Sequence, residues 1–291
     1  MARPASLKGT WKHRDARPSP TVAASNAEHA IQLTRPLIPE DAWEATTGSE
    51  FEDSAMVEAL TQSGLELCTS KGNEDHSVEW FSHPNTDRLL EEHKSAMLAM
   101  EEGNVLVYVG KVKRQENIVG SKLPLIKTQS ILPLSAEEMA DLLMDSSKVK
   151  IYNKMSLGRK DVRIFDKNTK IVCNLTQPPM SKSKMVSVTL MHSRALTDKD
   201  RLPSGPASGF VVVSRAVPGM VDEDLKDLPR NDILLGVNLV QDISPNECLM
   251  TAVTHVYSPA LPVMLAKSMG VTSAVNFIRD IRASCEPVAA E

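Results

Sequence analysis

Short segments rich in apolar, β-branched and aromatic residues follow one another from about residue 76, and this pattern predicts β-strands. Turn signals such as "DKNT", "PPMSKS" and "SPNE" separate the later segments. Because the connections are short, we expect antiparallel hairpins. The predicted strands are "SVEWFSH", "VLVYVGKVK" (residues 105–113), "PLIKTQSILP", "DVRIFD", "TKIVCNLTQ", "KMVSVTLMHSRAL", "GFVVVSRAV", "DILLGVNLVQDI" and "ECLMTAVTHVY".

Two helices are predicted to frame the early strands. The first covers residues 52–68 and takes its apolar positions from Met56, Leu60, Leu65 and Leu67. The second is "LSAEEMADLLMD", in which Ser135 is the expected N-cap and Glu138 completes a capping box. We expect Met139, Leu142 and Leu143 to face inward from this second helix.

The final helix has an unusually wide apolar face. On a helical wheel of residues 263–282, apolar residues cover roughly half of the circumference, against the ~100° of a one-sided surface helix. One explanation is a helix wedged between a sheet and another helix. The alternative is a helix that packs on a curved sheet without filling it and lines a cavity. Gly270 costs about 1 kcal/mol relative to alanine in mid-helix, so we expect a close approach of backbone to the sheet or to a ligand there.

Two predicted strands have faces that could line such a cavity. "MTAVTHV" alternates Met250, Ala252, Thr254 and Val256 with a second set that is equally small or apolar. "GFVVVSRAV" places Val211, Val213, Arg215 and Val217 on one face. If Arg215 is buried it needs a partner, and an outward-facing arginine is the equal alternative.

Composition narrows the functional classes. The chain has 291 residues, 42% hydrophobic residues, a net charge of −4 and a pI near 6.0, so no nucleic-acid partner is expected. Its four cysteines form no CxxC pair, which favours reduced thiols in a cytoplasmic compartment over disulfides or a metal site. No apolar run is long enough to span a bilayer, and no secretory signal is evident.

The composition also predicts the domain division. Residues 1–51 are expected to be a disordered or loosely ordered extension, 52–285 one domain, and 286–291 a tail. The first residues are basic, so an organelle-targeting peptide or a phosphate-binding arm remains an alternative to a solvated tail.

The order of elements over roughly residues 52–285 resembles the START family (steroidogenic acute regulatory-related lipid transfer domains). The segments that carry the resemblance are "KSKMVSV", "VVVSRAVPG" and "TAVTHVYSPALPVMLAKSMGVTSAVNFIRDIR". The resemblance implies an α+β helix-grip fold (START/Bet v 1-like). In that fold a curved antiparallel sheet wraps around a long C-terminal helix, with an internal apolar tunnel between them.

The resemblance and the strand phases together give candidate lipid-binding residues: Thr189, Met191, Val213, Arg215, Ala252, Thr254, Val256, Gly270, Phe277 and Ile281. Several family features are replaced. "IYN" stands where the family often has a Trp-Asp or Trp-Asn pair, "SK" at Ser183-Lys184 replaces Arg-Asp, and Tyr257 replaces an acidic residue. A polar pair of sterol-binding members is also missing, because its positions fall on Thr189 and near Leu157. A sterol ligand is therefore not assumed.

The loop "LTDKDRLPSGPASG", residues 196–209, resembles the mobile loop at the tunnel mouth of the family, and an inert hairpin loop is the equal alternative. Lys199 and Arg201 in it could meet anionic headgroups, at about 1 kcal/mol each.

Motifs of enzymes are missing: there is no G-x-S-x-G, H-E-x-x-H or P-loop. We therefore predict no enzyme, no cofactor and no metal. The predicted function is a monomeric, soluble carrier that holds one apolar lipid and touches membranes transiently. One alternative is a helix-grip hydrolase or cyclase with His192 or His255 facing the tunnel. Another is an interaction module with a filled cavity and exposed apolar patches.

Overall fold

The computed structural model describes residues 48–70, 78–113, 119–177, 183–200, 202, 208–220, 223–258 and 262–285. Nearly all of the predicted N-terminal extension and the predicted tail 286–291 lie outside the described residues. The division into extension, domain and tail therefore stays a prediction.

Six α-helices are seen in the described residues: α1 Ser54–Thr69, α2 Pro84–His93, α3 Ala96–Glu101, α4 Ala136–Met144, α5 Val149–Tyr152 and α6 Val263–Cys285. The strands are β1 Val78–Ser82, β2 Leu106–Val112, β3 Leu125–Leu132, β4 Ser156–Ile164, β5 Thr169–Thr176, β6 Met185–Ala195, β7 Gly209–Ala216, β8 Asp232–Ser244 and β9 Glu247–Tyr257. Short 3₁₀ turns occur at Ser49–Glu52, Ser146–Lys148 and Glu223–Leu225.

The strands form one antiparallel sheet in the order β1-β2-β3-β9-β8-β7-β6-β5-β4. Register shifts interrupt the β4–β5 pairing and the β8–β9 pairing, for example between Ile233 and Leu235. Such bulges bend a strand and increase its twist, which suits a sheet that curves around a helix. The nine predicted strands are confirmed, although β4 begins at Ser156, five residues before the predicted segment.

The two faces of the sheet carry separate cores. We call the face of Val213, Val237 and Val253 the outer face; these residues are paired across β7, β8 and β9 and belong to the cluster that contains the apolar residues of α1. We call the opposite face, with Val212 and Ala252, the inner face. It is covered by α4, α5 and α6, which share its cluster.

Helix α1 packs tightly on the outer face. An added Cβ at Gly64 would lie 2.8 Å from a methyl carbon of Val237 and 3.4 Å from one of Val213. The predicted inward residues Met56, Leu60, Leu65 and Leu67 are buried. Glycine at this position thus lets the helix axis approach the sheet closely.

The capping box of α4 is confirmed. The backbone N–H of Glu138 donates to Ser135 Oγ over 3.2 Å, and the N–H of Ser135 donates to Glu138 Oε2 over 3.0 Å. Met139, Leu142 and Leu143 are buried against the inner face as expected.

Helices α2 and α3 between β1 and β2 were not predicted from the sequence. Helix α2 is polar overall, but Pro84 occupies its first turn and His83 Nδ1 accepts from the N–H of Asn85 over 3.3 Å. Histidine is not a usual N-cap residue, so the start of this helix carries no common sequence signal.

Candidate functional site

The centre of the inner face is incompletely covered. Ser214, Asn238 and Thr254 lie on the neighbouring central strands β7, β8 and β9, yet each is only half-buried. Helices packed flat across these strands would bury the residues beneath them. Their exposure therefore indicates that the covering helices leave space here, which we call the inner hollow.

A glycine in the middle of one row helps to create this space. Ser214 pairs with Gly236, and Gly236 pairs with Thr254, so the three residues form a row across β7, β8 and β9. An added Cβ at Gly236 would lie 2.2 Å from Ser214 Oγ. The serine side chain thus leans over the glycine, and a side chain at position 236 would occupy part of the hollow.

The polar groups of the hollow are available to a ligand. Within the described part of the chain, no side-chain hydrogen bond joins Ser214, Asn238 or Thr254 to the protein. Thr189, on β6, is fully buried, and its Oγ1 has no hydrogen-bond partner among the described residues. Because Ser214, Asn238 and Thr254 are half-buried and their side chains have no hydrogen-bond partner among the described residues, these three could hold the polar end of a mostly apolar molecule.

The far edge of the inner face is closed by polar contacts. Arg159 on β4 donates from Nε to Asn174 Oδ1 over 2.8 Å and from Nη1 to the carbonyl of Leu143 over 2.9 Å. Lys170 on β5 forms an ion pair with Asp161 over 2.9 Å. These bonds join β4 and β5 to each other and to the end of α4, so this side of the hollow has a fixed wall.

The C-terminal half of α6 is firmly attached to the sheet. Ile278 and Ile281 are fully buried among the inner core residues. The Phe277 ring meets the Tyr152 ring edge-on, with centroids 5.6 Å apart and planes at 86°. Arg282 donates from Nη2 to the carbonyl of Ile131 over 2.7 Å and from Nη1 to the carbonyl of Gly103.

The N-terminal half of α6 exposes its apolar residues. Met264 is 91% exposed, and Val263, Leu265 and Met269 are also exposed. Val256, near the end of β9, is another exposed apolar residue. The wide apolar face therefore has two environments: its second half packs on β3 and α5, and its first half meets solvent.

Eight of the ten candidate lipid-binding residues are on the inner side. Thr189, Met191, Ala252, Thr254 and Val256 have the inner-face phase by their strand pairings. Gly270, Phe277 and Ile281 are on the helix that covers this face. A lipid contact at each of them remains a prediction.

Val213 and Arg215 lie on the outer face, away from the inner hollow, and a lipid contact at either stays a prediction. Val213 packs against Gly64 of α1, and Arg215 pairs with Leu190, a member of the outer core cluster. Arg215 is fully buried there. The polar residue that this strand presents to the hollow is Ser214.

Ser214 and Asn238 were missed for a physical reason. The run Val211–Val213 is apolar on both faces, so alternation shows which residues share a face but not which face is inner. The signal that could have decided the phase is Gly236 in "LLGVN", because a glycine inside a strand often marks a close approach or an open space.

The predicted lid does not lie over the hollow where the structure describes it. Asp200 accepts hydrogen bonds from Arg194 Nη1 over 2.8 Å and from Gln62 Nε2 over 3.0 Å, and Arg194 also pairs with Glu58 over 2.8 Å. Glu58 and Gln62 belong to α1, so residues 197–200 lie beside α1 on the outer side. Arg201 and residues 203–207 are outside the described residues.

Neither strand histidine has the position that the enzyme hypothesis required. His192 pairs with Val213 and His255 with Leu235, which places both on the outer face. His255 donates from Nε2 to the carbonyl of Gly120 over 3.0 Å, and burial lowers its pKa to about 4. Burial also lowers the pKa of His192, whose Nδ1 is 2.9 Å from Thr169 Oγ1.

Two further searches of the described residues gave negative results. They contain no group of three or more histidine, cysteine or acidic side chains placed to hold a metal ion. None of the helices seen there has the length and apolar character needed to cross a bilayer.

Comparison with solved structures identifies the fold. Human STARD10 superposes with a TM-score of 0.56 at 17% identity, covering 80% of this chain and 79% of that chain. Human StAR-related lipid transfer protein 5 gives 0.54 at 13% identity, covering 80% of this chain and 97% of that one. The human StarD13 (DLC2) lipid transfer and protein localization domain superposes with a TM-score of 0.52 at 13% identity, covering 64% of this chain and 86% of that chain. No family model and no curated protein sequence matches the chain.

Proposed function

We propose that this chain, which has the helix-grip fold of START domains, binds one apolar lipid in the inner hollow and exchanges it at membranes. The observation that carries the proposal is the half-buried trio Ser214, Asn238 and Thr254 at the centre of the inner face, which α4, α5 and α6 cover. The fold likeness supports it, since two of the similar solved structures are named as a lipid transfer domain and a lipid transfer protein.

Affinity in such a site comes mainly from burial. Apolar surface contributes about 25 cal/mol per Å² removed from water, so an acyl chain or a ring system is held without directional contacts. The three polar side chains add hydrogen bonds at one place in the hollow. A ligand with a long apolar body and a single uncharged polar group fits this distribution, and no charged side chain is among the three.

The exposed half of α6 supports exchange at a membrane. Met264 and Leu265 stand out from the surface at the end of the helix that closes the hollow. Apolar side chains of this kind partition into the boundary between headgroups and acyl chains. Docking there would bring the N-terminal half of α6 to the bilayer while Arg282 holds the other end on β3.

The same exposed residues favour a second candidate, a protein-interaction module. An exposed apolar patch is typical of a surface that meets another protein as well as of one that meets lipid. In this case α6 would bind a partner and the hollow would bind no lipid. The two functions differ in whether a lipid occupies the hollow.

Native mass spectrometry of the purified full chain, followed by extraction and identification of lipids, tests the proposal. We expect a bound mass of one lipid per chain, either as purified or after incubation with mixed liposomes. Thr254→Phe should remove it, because the ring would fill the hollow from a half-buried position that has room for it. Thr272→Phe, on the exposed side of α6, is the matched control and should keep the lipid.

Absence of bound lipid from the parent protein after liposome incubation would reject the carrier and favour the interaction module. Equal loss from both variants would show that the effect is not confined to the hollow. A variant of α6 such as Phe277→Asp is a less suitable test, because Phe277 packs against Tyr152 and its loss would also weaken the core.

A further inference from the structure

A buried lysine occupies the outer face of β3. Lys127 pairs with Tyr108 on β2 and Val253 on β9, and it is only 4% exposed. Its Nζ donates to the carbonyl of Ser70 over 2.8 Å and lies 4.1 Å from the centre of the Trp80 ring. Both contacts orient the ammonium group, but neither neutralises its charge.

The charge of Lys127 has no acidic counterpart in the described part of the chain. No described carboxylate forms an ion pair or a hydrogen bond with Nζ. Lysine is almost never fully buried unless it is paired, because removing an ammonium group from water is costly. A buried cation that has no carboxylate partner among the described residues therefore favours an anion as ligand.

Lys127 lines a cavity that could hold this anion. The cavity has a volume of about 340 Å³ and lies between the end of α1, the outer face of the sheet and Leu202. It is on the side of the sheet opposite to the inner hollow, so the two spaces are distinct. The lining residues are Cys68, Thr69, Ser70, Trp80, Tyr108, Lys127, Gln129, Leu202, Leu239, Gln241, Leu249 and Thr251.

The lining has the chemistry of a site for a small amphipathic acid. It contains one cation and no aspartate or glutamate. Leu202, Leu239 and Leu249 supply apolar surface, while Tyr108 and Gln129 supply polar groups. A volume near 340 Å³ is at the lower end of the range of small-molecule sites.

We propose that this outer cavity binds a small organic monocarboxylate, with its carboxylate on Lys127 and its apolar part against the leucines. A single ammonium group matches a single negative charge. A phosphate monoester or a dicarboxylate would bring a second charge into a cavity whose described lining has no second cation to receive it. The proposal is independent of the lipid in the inner hollow.

Lys127 is the group in this cavity whose charge changes near neutral pH. Burial lowers its pKa to about 8. Burial raises the pKa of the Cys68 thiol to about 12 and that of the Tyr108 phenol above its ordinary value, so both stay uncharged. Binding of a carboxylate should therefore be strong at pH 6–7 and decline as the pH rises above about 8.

Trp80 provides the readout, because its ring contacts the ammonium group directly. The full chain with Trp11→Phe and Trp43→Phe has Trp80 as its single tryptophan. We would titrate this protein with hexanoate, with the uncharged hexanamide and with inorganic phosphate, and follow the emission. The expected result is a saturable change with hexanoate that is at least tenfold weaker with hexanamide and with phosphate.

Variants locate the response. Lys127→Met, which keeps the length of the side chain without its charge, should abolish it. Lys122→Met, an exposed lysine in the turn before β3, should leave it unchanged. Thr254→Phe fills the inner hollow and should also leave it unchanged, so a response lost only in that variant would place hexanoate in the hollow and overturn the proposal.

The proposal remains falsifiable even if Lys127→Met does not fold. In that case the titration of the parent protein at pH 6.5 and at pH 9.5 decides, since the response should disappear at the higher pH. No change with hexanoate up to millimolar concentration, or equal responses to hexanoate and hexanamide, would overturn the assignment.

Discussion

Gly270 of α6 lies directly against Ile126 of β3: an added Cβ at position 270 would be 3.1 Å from Ile126 Cγ1. The glycine therefore serves close contact between helix and sheet, which is one of the two roles that its position in mid-helix predicted. This contact marks where α6 changes from its exposed first half to its packed second half.

The contact predicts how the helix responds to larger side chains. Gly270→Val should lower the free energy of unfolding by about 1–3 kcal/mol, because the branched side chain overlaps Ile126. Urea denaturation measures the change, and Ile126→Ala in the same protein should restore part of the loss. Gly270→Ala is the control, since its gain in helix propensity of about 1 kcal/mol offsets the tight contact. A stable Gly270→Val variant would contradict the close approach.

The buried His255 predicts a loss of stability in mild acid. Burial lowers its pKa in the folded state to about 4, against an ordinary value of 6.5. The unfolded chain then binds this proton first, so stability is complete above pH 6.5 and falls as the pH drops towards 4, by roughly 3 kcal/mol in total. Urea midpoints of the wild type and of His255→Gln, measured between pH 7 and pH 4.5, check this.

His255→Gln should flatten the pH dependence, because glutamine cannot be protonated and can still donate to the carbonyl of Gly120. An unchanged slope in the variant would mean that other groups cause the acid sensitivity. His192 is the first of these to consider, since burial also lowers its pKa.

The hydrogen bonds of the buried Asp200 carboxylate indicate how the loop after β6 is held in place. Its carboxylate accepts from Arg194, from Gln62 and from the N–H of Thr197, and the Arg194 bonds hold its pKa well below the usual range. This stability is present above the ordinary pKa near 4 and is lost as the pH falls below it. Asp200→Asn should cost about 2 kcal/mol at pH 7, because charge-assisted bonds become neutral ones.

Hydrogen exchange of residues 197–200 and urea unfolding measure this effect together. Asp198→Asn, an exposed neighbour, is the matched control and should leave both unchanged. Unaltered exchange in Asp200→Asn would show that the loop is held by other contacts.

We predict that polar substitutions in the exposed half of α6 impair exchange at membranes and leave lipid binding unchanged. Met264→Glu together with Leu265→Glu should slow lipid transfer between vesicles by at least tenfold, since a factor of ten corresponds to about 1.4 kcal/mol and full burial of each side chain contributes about 1.5–3 kcal/mol. A fluorescent lipid transferred between donor and acceptor vesicles gives the rate. Lipid content by mass spectrometry should stay at the wild-type level.

Ser268→Glu is the control for this prediction, because Ser268 is exposed on the same helix and is not apolar. Equal slowing by Ser268→Glu would assign the defect to added negative charge. Normal transfer by the double variant would indicate that another surface meets the membrane.

The fold was predictable because its signals are local and repeated. Nine strand patterns, several of them joined by short turns, and a long C-terminal helix indicate an antiparallel sheet closed by a helix, and the structure has this order. Helices α2 and α3 were missed because α2 is polar and starts at an unusual cap, His83. Tertiary contact with β2 stabilises it, and a local pattern does not contain that information.

The site was only partly predictable, because alternation in a strand that is apolar on both faces does not show which face is the inner one. Ala252 and Thr254 on β9 have the inner-face phase that was expected, whereas on β7 the inner-face residue is Ser214, and Val213 and Arg215 lie on the outer face. The direction of the loop after β6 was equally invisible, because it depends on Arg194 and Asp200 meeting α1 across the fold. Ion pairs between residues far apart in the chain produce no periodic pattern in the sequence.

Strand β3 does not tolerate the insertion or deletion of a single residue. Ile126 and Thr128 face the inner side while Lys127 and Gln129 face the outer cavity. Deletion of one residue at the start of the strand would exchange these two sets, because successive side chains point to opposite faces. The ammonium group of Lys127 would then enter the apolar side beneath Gly270, and isoleucine would replace it beside Trp80. A substitution within β3 changes one side chain on one face, whereas the insertion or deletion of a single residue there would disrupt both faces of the sheet at once.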